Sequence, residues 1–371
     1  MLNLASYAAP GASSWRAPHG PNGATDFHRS LPGYGQSALV EVPALAEQLG
    51  VAHLYVKDES SRLGLPAFKI LGASWAVARA VGERADLDAS ALTLPKLIAH
   101  IDKSGVKAFV AATDGNHGRA VARMAKLLGR PAFIFIPDGV TQAAQDAIKS
   151  EGATVIHVPG SYDGAVESAN AQALSQPGAL LIQDTSWEGY QDIPAWIVEG
   201  YQTLCAEIDE QLGSAPTVVV VPVGVGSLAE GVTRYYRGQS SFTPALLSVE
   251  PEVAACLLES LHAGALTSVE TYTSIMAGLN CGTPSASAWP ILQHGITGAV
   301  AVSEEDAADA VHELNALGVD SGPCGGATLA GLRNALADPG LRAALGVDAS
   351  STVILINTEG FSANPLPEES A

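Results

Sequence analysis

Ala108-Phe109-Val110-Ala111-Ala112-Thr113-Asp114-Gly115-Asn116-His117-Gly118 runs from five small or apolar residues into a polar turn, and a helical pattern follows over 119–128. A short apolar run with no polar face, closed by a glycine turn and a helix, reads as a strand covered on both sides in a parallel sheet. The unit then repeats. Strands are predicted at 131–136, 154–158 and 180–182, with helices at 141–151 and 165–174 between them. The class this dictates is α/β, with helices flanking a parallel-rich sheet.

Outward from this block the alternation resumes on a larger scale. The pattern predicts a helix over 193–211, strands at 217–221 and 245–249, and helices over 253–261, 304–317 and 327–336. A final strand is predicted at 352–356. Residues 263–301 read as less regular chain. Towards the N-terminus, Leu54-Tyr55-Val56 is a short strand closed by the charged Lys57-Asp58-Glu59, and a helix is predicted over 70–79. Residues 83–105 read as a surface excursion, and 1–35 as an irregular lead-in broken by Pro10, Gly11, Pro18, Gly20, Pro21 and Gly23. Two lobes are expected, with the ligand crevice beyond the carboxyl ends of the strands.

The chain has 371 residues, 47% of them hydrophobic and 15% charged, enough for a large core. A net charge of −19 argues against nucleic acid and anionic membranes as partners. No apolar run reaches membrane-spanning length. Residues 1–29 lack the basic-then-apolar design of a secretory leader, so the cytoplasm is the expected location. Cys205, Cys256, Cys281 and Cys324 stand far apart with no Cys-x-x-Cys pair, a pattern that suits a reducing compartment. A Cys256–Cys281 bridge stays open at this level. No metal ligand set is assigned.

Four stretches at strand ends carry chemistry. In Leu65-Pro66-Ala67-Phe68-Lys69-Ile70-Leu71-Gly72, a lysine stands among apolar residues at a helix mouth. Burial there costs free energy unless the amine is paired, and it lowers the pKa toward a usable nucleophile; the plain alternative is a stem lying on the core with its ammonium in water. The Thr113–Gly118 turn offers backbone N–H groups to an anion, although Asn116 could simply cap the helix and Asp114 could be a solvated turn residue. Pro222-Val223-Gly224-Val225-Gly226-Ser227 lets backbone approach a phosphate, without a Walker ending or a third dinucleotide glycine. Asn357-Thr358-Glu359-Gly360 places polar groups just after the last strand.

A lysine, a carboxylate-binding turn, a phosphate cup and a distal polar group form the set that pyridoxal 5'-phosphate requires. With Phe27-His28-Arg29-Ser30-Leu31-Pro32-Gly33-Tyr34, Val56-Lys57-Asp58-Glu59-Ser60-Ser61-Arg62-Leu63-Gly64-Leu65 and Gln183-Asp184-Thr185-Ser186-Trp187-Glu188-Gly189-Tyr190, the chain resembles the fold type II pyridoxal-phosphate enzymes over Phe27 to Gly360. Within that group it is most similar to diaminopropionate ammonia-lyase. The resemblance implies a large cofactor-binding domain of 1–104 and 184–371, a small mobile domain of 105–183, and a homodimer. It implies that Lys69 binds the cofactor covalently, Phe68 lines its ring, Asn116 meets its phenolic oxygen and Gly224, Val225, Gly226 and Ser227 hold its phosphate. Asn357 or Thr358 would meet the ring nitrogen. Thr113, Asp114, Gly115 and His117 would face an amino acid substrate, and His28 and Tyr34 would close over the site or serve the structure.

Dehydratases of the group carry a serine where this chain has Asp114. A carboxylate is the better base near neutral pH, and it also attracts a second ammonium. Asp184 resembles another acid of the ammonia-lyases, with an Asx-turn or helix cap as its plain alternative. The expected reaction is β-elimination of 2,3-diaminopropionate to pyruvate and ammonia, with Asp114, Asp184 or Lys69 taking the α-proton. The alternatives are a serine, threonine or 3-hydroxyaspartate dehydratase, and a silent relative that only binds an amino acid or the cofactor. Ser321-Gly322-Pro323-Cys324-Gly325-Gly326 departs from the group, which carries a glutamate in that segment; Cys324 reads as a small buried residue.

Overall fold

The structure is a computed structural model and describes residues 6–18, 23–113 and 115–367. Eleven strands are found among them: β1 (Tyr7–Ala8), β2 (Ala38–Glu41), β3 (His53–Asp58), β4 (Ala108–Ala112), β5 (Ala132–Ile136), β6 (Thr154–His157), β7 (Ala179–Leu181), β8 (Val218–Pro222), β9 (Ala245–Pro251), β10 (Gly298–Val302) and β11 (Thr352–Asn357). β4 to β7 form a four-stranded parallel sheet in the order β6-β5-β4-β7. The other seven form a second sheet, β1-β10-β9-β8-β11-β3-β2, antiparallel only at its edge pairs β1–β10 and β2–β3.

The opening stretch behaves as its composition dictates. All five residues of β4 are buried. Side chains alternate across a strand, so Val110 and Ala112 pack with Ala165 and Ala169 of the helix Tyr162–Ser175. Phe109 and Ala111 join the opposite core, which they share with Val121 and Met124 of the helix Asn116–Leu127 and with the helix Lys69–Arg84. That shared core joins the two sheets into one body.

The helix Lys69–Arg84 is longer than the predicted 70–79 and is buried on nearly every side. It lies on the long helix Asp192–Leu212 at a contact made possible by two glycines. A Cβ on Gly72 would stand 2.5 Å from Tyr201 Cε1, and one on Gly200 would stand 2.8 Å from Gly72 Cα. Backbone meets backbone there.

Several expectations need correction. The excursion at 83–105 contains the helix Leu94–His100, and Leu92, Leu94, Leu97 and Ile101 are core residues. The lead-in holds the helix Ala24–Arg29, which buries Phe27 and His28 completely; of its breakers, Gly20 and Pro21 lie outside the described residues. The irregular 263–301 ends in the helix Trp289–Gly295 and in β10. The charged triplet after Val56 does not close β3 at the surface: Lys57 and Glu59 are fully buried.

That burial is made possible by a network. Lys57 Nζ donates to Glu207 Oε2 at 2.8 Å, Gln211 Oε1 at 2.9 Å and the Ser37 carbonyl at 2.9 Å. The Arg62 guanidinium donates to both oxygens of Glu207, at 2.8 and 2.7 Å, and pairs with Glu59. Burial pushes the Glu207 carboxyl up, but Arg62 and Lys57 outweigh it and bring its pKa down to about 2. His28 and Tyr34 belong to this interior and do not close over the crevice. Tyr34 donates to Glu207 Oε1 at 2.9 Å. His28 sits between Thr203 Oγ1 and the Leu71 carbonyl, and burial lowers its pKa to about 3. No helix among the described residues is long and apolar enough to cross a membrane.

Candidate active site

Lys69 is the first residue of its helix, and the chain before it is fixed by backbone bonds. Phe68 N donates to the Thr358 carbonyl at 3.1 Å, Gly360 N donates to the Pro66 carbonyl at 3.0 Å, and Ala67 pairs with Glu359. Upstream, Arg62 and Leu65 exchange both backbone bonds, at 2.8 and 2.9 Å, around a two-residue turn. Leu63 and Gly64 both take positive φ there, 53° and 71°, the geometry of a tight hairpin turn. A leucine in that region is strained; Arg123 of the smaller sheet's helix holds its carbonyl at 3.0 Å. The lysine loop is thus tied to β11 behind it and to the other sheet's helix beside it.

The Lys69 amine is less buried than its neighbours suggested. Its side chain is 27% exposed, and Nζ donates to Asp184 Oδ2 at 3.0 Å across the crevice between the sheets. Asp184 follows β7 and is neither an Asx-turn nor a cap. Its side chain is 11% exposed. Burial alone would push its carboxyl up, yet the Lys69 ammonium, His117 and the Lys69 hydrogen bond hold it well below the usual carboxylate range. Oδ1 accepts from Gln183 Nε2 at 3.3 Å and from the Tyr162 hydroxyl at 3.4 Å. Gln183 is itself fixed, since its Oε1 accepts from Ala112 N at 2.9 Å and its Nε2 donates to the Tyr162 oxygen at 2.7 Å.

The turn after β4 divides its residues. Thr113, expected against the substrate, commits its Oγ1 to the turn and accepts from Gly115 N at 2.9 Å and Gly118 N at 3.0 Å. Gly118 has no room for a side chain, because a Cβ would stand 2.7 Å from Ile134 Cγ2. Asp114 lies outside the described residues. Asn116 makes no side-chain cap; its Nδ2 donates to Glu359 Oε2 at 3.2 Å. His117 is buried, and its Nε2 donates to the Ile182 carbonyl at 2.9 Å. Its Nδ1 stands 3.8 Å from Asp184 Oδ2, with no hydrogen-bond partner among the described residues.

The remaining two stretches lie at the ends of β8 and β11. Gly224 is forced by crowding, as a Cβ would meet the Gly278 carbonyl at 2.7 Å; Gly226 has φ 96°. Val225 gives its carbonyl to Ser285 N at 2.7 Å. Ser227 opens the helix Ser227–Arg234, whose first-turn N–H groups have no intrahelical acceptor. Asn357 is fully engaged: its Nδ2 donates to Asp58 Oδ1 at 2.9 Å and the Asp320 carbonyl at 2.8 Å, and its Oδ1 accepts from Ser321 Oγ at 3.0 Å. Gly325 is a glycine because a Cβ would collide with that Asn357 oxygen. Thr358 Oγ1, beside it, is buried without a hydrogen-bond partner among the described residues. Cys324 is a buried small residue. Cys256 lies with its Sγ 4.0 Å from the Gly224 carbonyl, and no disulfide joins it to Cys281 among the described residues.

Sequence reasoning missed three residues. Glu359 orients the Asn116 amide, Tyr162 braces Asp184, and the buried phenol of Tyr201 faces the Lys69 amine. Glu359 stood in a quoted stretch and could have been found. Tyr162 and Tyr201 reach the crevice only through long-range packing, for which the chain carries no local signal.

The geometry suits a pyridine cofactor: an amine at the crevice, a glycine cradle, and a buried Thr358 hydroxyl left without a partner among the described residues. Comparison with known proteins bears this out. The model of the family described as pyridoxal-phosphate dependent enzyme matches residues 30–359. The diaminopropionate ammonia-lyase of Salmonella typhimurium is 35% identical over 92% of this chain and 89% of its own, and that of Escherichia coli is 37% identical over 91% and 87%. The crystal structure of the E. coli protein in complex with D-serine superposes with a TM-score of 0.82 at 33% identity, covering 96% of this chain and 91% of that one. The chain belongs to the pyridoxal-phosphate-dependent enzymes of fold type II and is a relative of the diaminopropionate ammonia-lyases.

Proposed function

We propose that the protein is an ammonia-lyase that removes the β-amino group of 2,3-diaminopropionate and yields pyruvate and ammonia. The observation that carries the reading is Lys69, at the crevice and 3.0 Å from an ionised Asp184, in a chain related over most of its length to such lyases. Lys69 holds the cofactor through its ε-nitrogen, and Phe68 lines the ring. Asn116, its amide turned by Glu359, donates to the phenolic oxygen. The backbone of Gly224, Val225, Gly226 and Ser227 takes the phosphate. Thr358 meets the ring nitrogen, since both Nδ2 protons of Asn357 are committed and its Oδ1 is packed against Gly325. When bound, the cofactor is the sink for the electron pair left at the α-carbon.

The chain's own residues do the rest. The backbone N–H groups of Asn116 and His117, at the start of the helix Asn116–Leu127, bind the substrate carboxylate. Asp114 takes the α-proton, and the Lys69 amine would be the second base within the site. Asp184 stays ionised and orients charge. Residues 105–183 form the small domain that moves against 1–104 and 184–371, which form the large cofactor-binding domain. The enzyme works as a homodimer in the cytoplasm on a small-molecule amino acid.

Pyruvate release from amino acids with a β-leaving group tests the reading. Diaminopropionate is expected to give the highest kcat/KM, above serine and threonine. Serine or threonine as the preferred substrate would make the protein a dehydratase. A cofactor absorbance with no pyruvate from any of them would make it a binding relative.

A further inference from the structure

Tyr201 carries a hydroxyl that packing does not need. The residue lies on the helix Asp192–Leu212 and is fully buried. Its side chain is clamped. A Cβ on Gly72 would stand 2.5 Å from Tyr201 Cε1, one on Gly231 would stand 3.2 Å from Tyr201 Cβ, and the Phe68 ring lies 4.8 Å away, centre to centre. A phenylalanine would fill the same space, and burying a hydroxyl costs free energy unless it is hydrogen-bonded. This hydroxyl faces the Lys69 amine and has no other hydrogen-bond partner among the described residues. Lys69 Nζ itself stands 5.6 Å from the centre of the same Phe68 ring and 3.0 Å from Asp184 Oδ2. Burial, against the pull of Lys69, pushes the phenol up to about 12, so it keeps its proton and can donate or accept.

We infer that the Tyr201 hydroxyl, together with Asp184 Oδ2, is the resting place of the Lys69 amine whenever that nitrogen is not bonded to the cofactor, which makes Tyr201 a positioning residue for the reaction. The inference rests on the proposed attachment of the cofactor to Lys69. An amino acid whose nitrogen replaces Nζ on the cofactor gives up two protons; the lysine nitrogen gains two and leaves as an amine. That amine has to stay within reach, because it reclaims the cofactor at the end of each turnover. An ionised carboxylate only accepts hydrogen bonds, so Asp184 holds the nitrogen's protons and offers nothing to its lone pair. A hydroxyl serves both states. It donates to the lone pair of the neutral amine, and it accepts a hydrogen bond once the amine has become an ammonium. The close contact at Gly72 and Gly200 fixes the distance between the tyrosine's helix and the root of the lysine side chain.

The test is a set of binding equilibria. Loss of the hydroxyl destabilises only states in which Lys69 is free, namely the apoenzyme and the enzyme whose cofactor carries an amino acid. Tyr201→Phe should therefore tighten cofactor binding to the apoenzyme by about tenfold. It should weaken by the same factor the displacement of Lys69 by alanine, which has no β-leaving group. Cofactor absorbance reads both. The two changes cancel over the whole cycle, so phosphopyridoxyl-alanine, a stable reduced compound that leaves Lys69 free, should bind the two apoenzymes within about twofold. A tyrosine that only supports the fold would weaken all three, which overturns the inference. If either the tightening or the weakening is absent, the resting place is overturned and the cofactor reading stands. A pyridoxyl tag on a residue other than Lys69 after borohydride reduction ends the proposed attachment and this inference with it.

Discussion

Lys69 concentrates the chemistry, and its replacement is the sharpest test at the scale of single residues. Lys69→Ala should release no pyruvate and lose the visible absorbance of the bound cofactor while keeping the far-ultraviolet circular dichroism of the wild type. Borohydride reduction and peptide mapping of the wild type should place the pyridoxyl tag on residue 69. Asp114→Asn should lower turnover of one or both diaminopropionate enantiomers by at least about a hundredfold, as expected for loss of a general base. Thr358 and Asn357 should behave oppositely. Thr358→Val removes a buried hydroxyl that has no hydrogen-bond partner among the described residues, so stability should hold while cofactor affinity falls by about tenfold. Asn357→Leu leaves several buried groups without partners and should unfold at lower urea. That Lys69, Asn116 and Gly224 to Ser227 stand at strand ends was readable because residue type and position coincide there. The hydrogen bonds that occupy Asn357 were not, because they come from Asp58, Asp320 and Ser321, which approach from elsewhere in the chain.

At the scale of elements, β3 shows where pattern misleads. Its Lys57-Asp58-Glu59 reads as a solvated strand end, yet the network with Arg62 and Glu207 carries these charges into the interior. Nothing within six residues of Lys57 announces Glu207, which lies 150 residues further along the chain. Removing one member leaves its partners charged and unpaired, so Glu207→Gln should cost about 3–5 kcal/mol in urea unfolding. Acid should act through the same interior. The Glu207 carboxyl titrates lower in the folded protein, near 2, than in the unfolded chain, and the His28 imidazole, near 3, does likewise. Each therefore contributes stability that is complete above its unfolded pKa and is lost as pH falls toward its folded one. Stability should begin to decline below about pH 6.5, the ordinary histidine value, and steepen below about pH 4.5, the ordinary glutamate range. His28→Gln should remove the first part of that decline in urea titrations run at each pH.

For the whole molecule, the apolar runs of β4, β5, β8 and β11 made the α/β class legible, since a strand covered on both faces carries few polar residues and only where they are hydrogen-bonded, as Asn357 is. Edge elements were less legible. β1, β2 and β10 are short or lie beside irregular chain, and the helix Leu94–His100 hides its core residues between charged neighbours, so tertiary packing decides them. The homodimer proposed above predicts a light-scattering mass near twice 37.9 kDa; a mass of one chain would refute it.

The glycine contact between the helices Lys69–Arg84 and Asp192–Leu212 has a mechanical corollary. With main chain pressed on main chain at Gly72 and Gly200, the lysine's helix has no slack in which to slide or roll, so it serves as a fixed jaw. Any tightening around a bound molecule must then come from the small domain proposed above, against whose core the stacked Trp187 and Tyr190 rings pack. Indole emission from Trp187 should track that travel, while Trp75, buried within the fixed jaw itself, should stay silent.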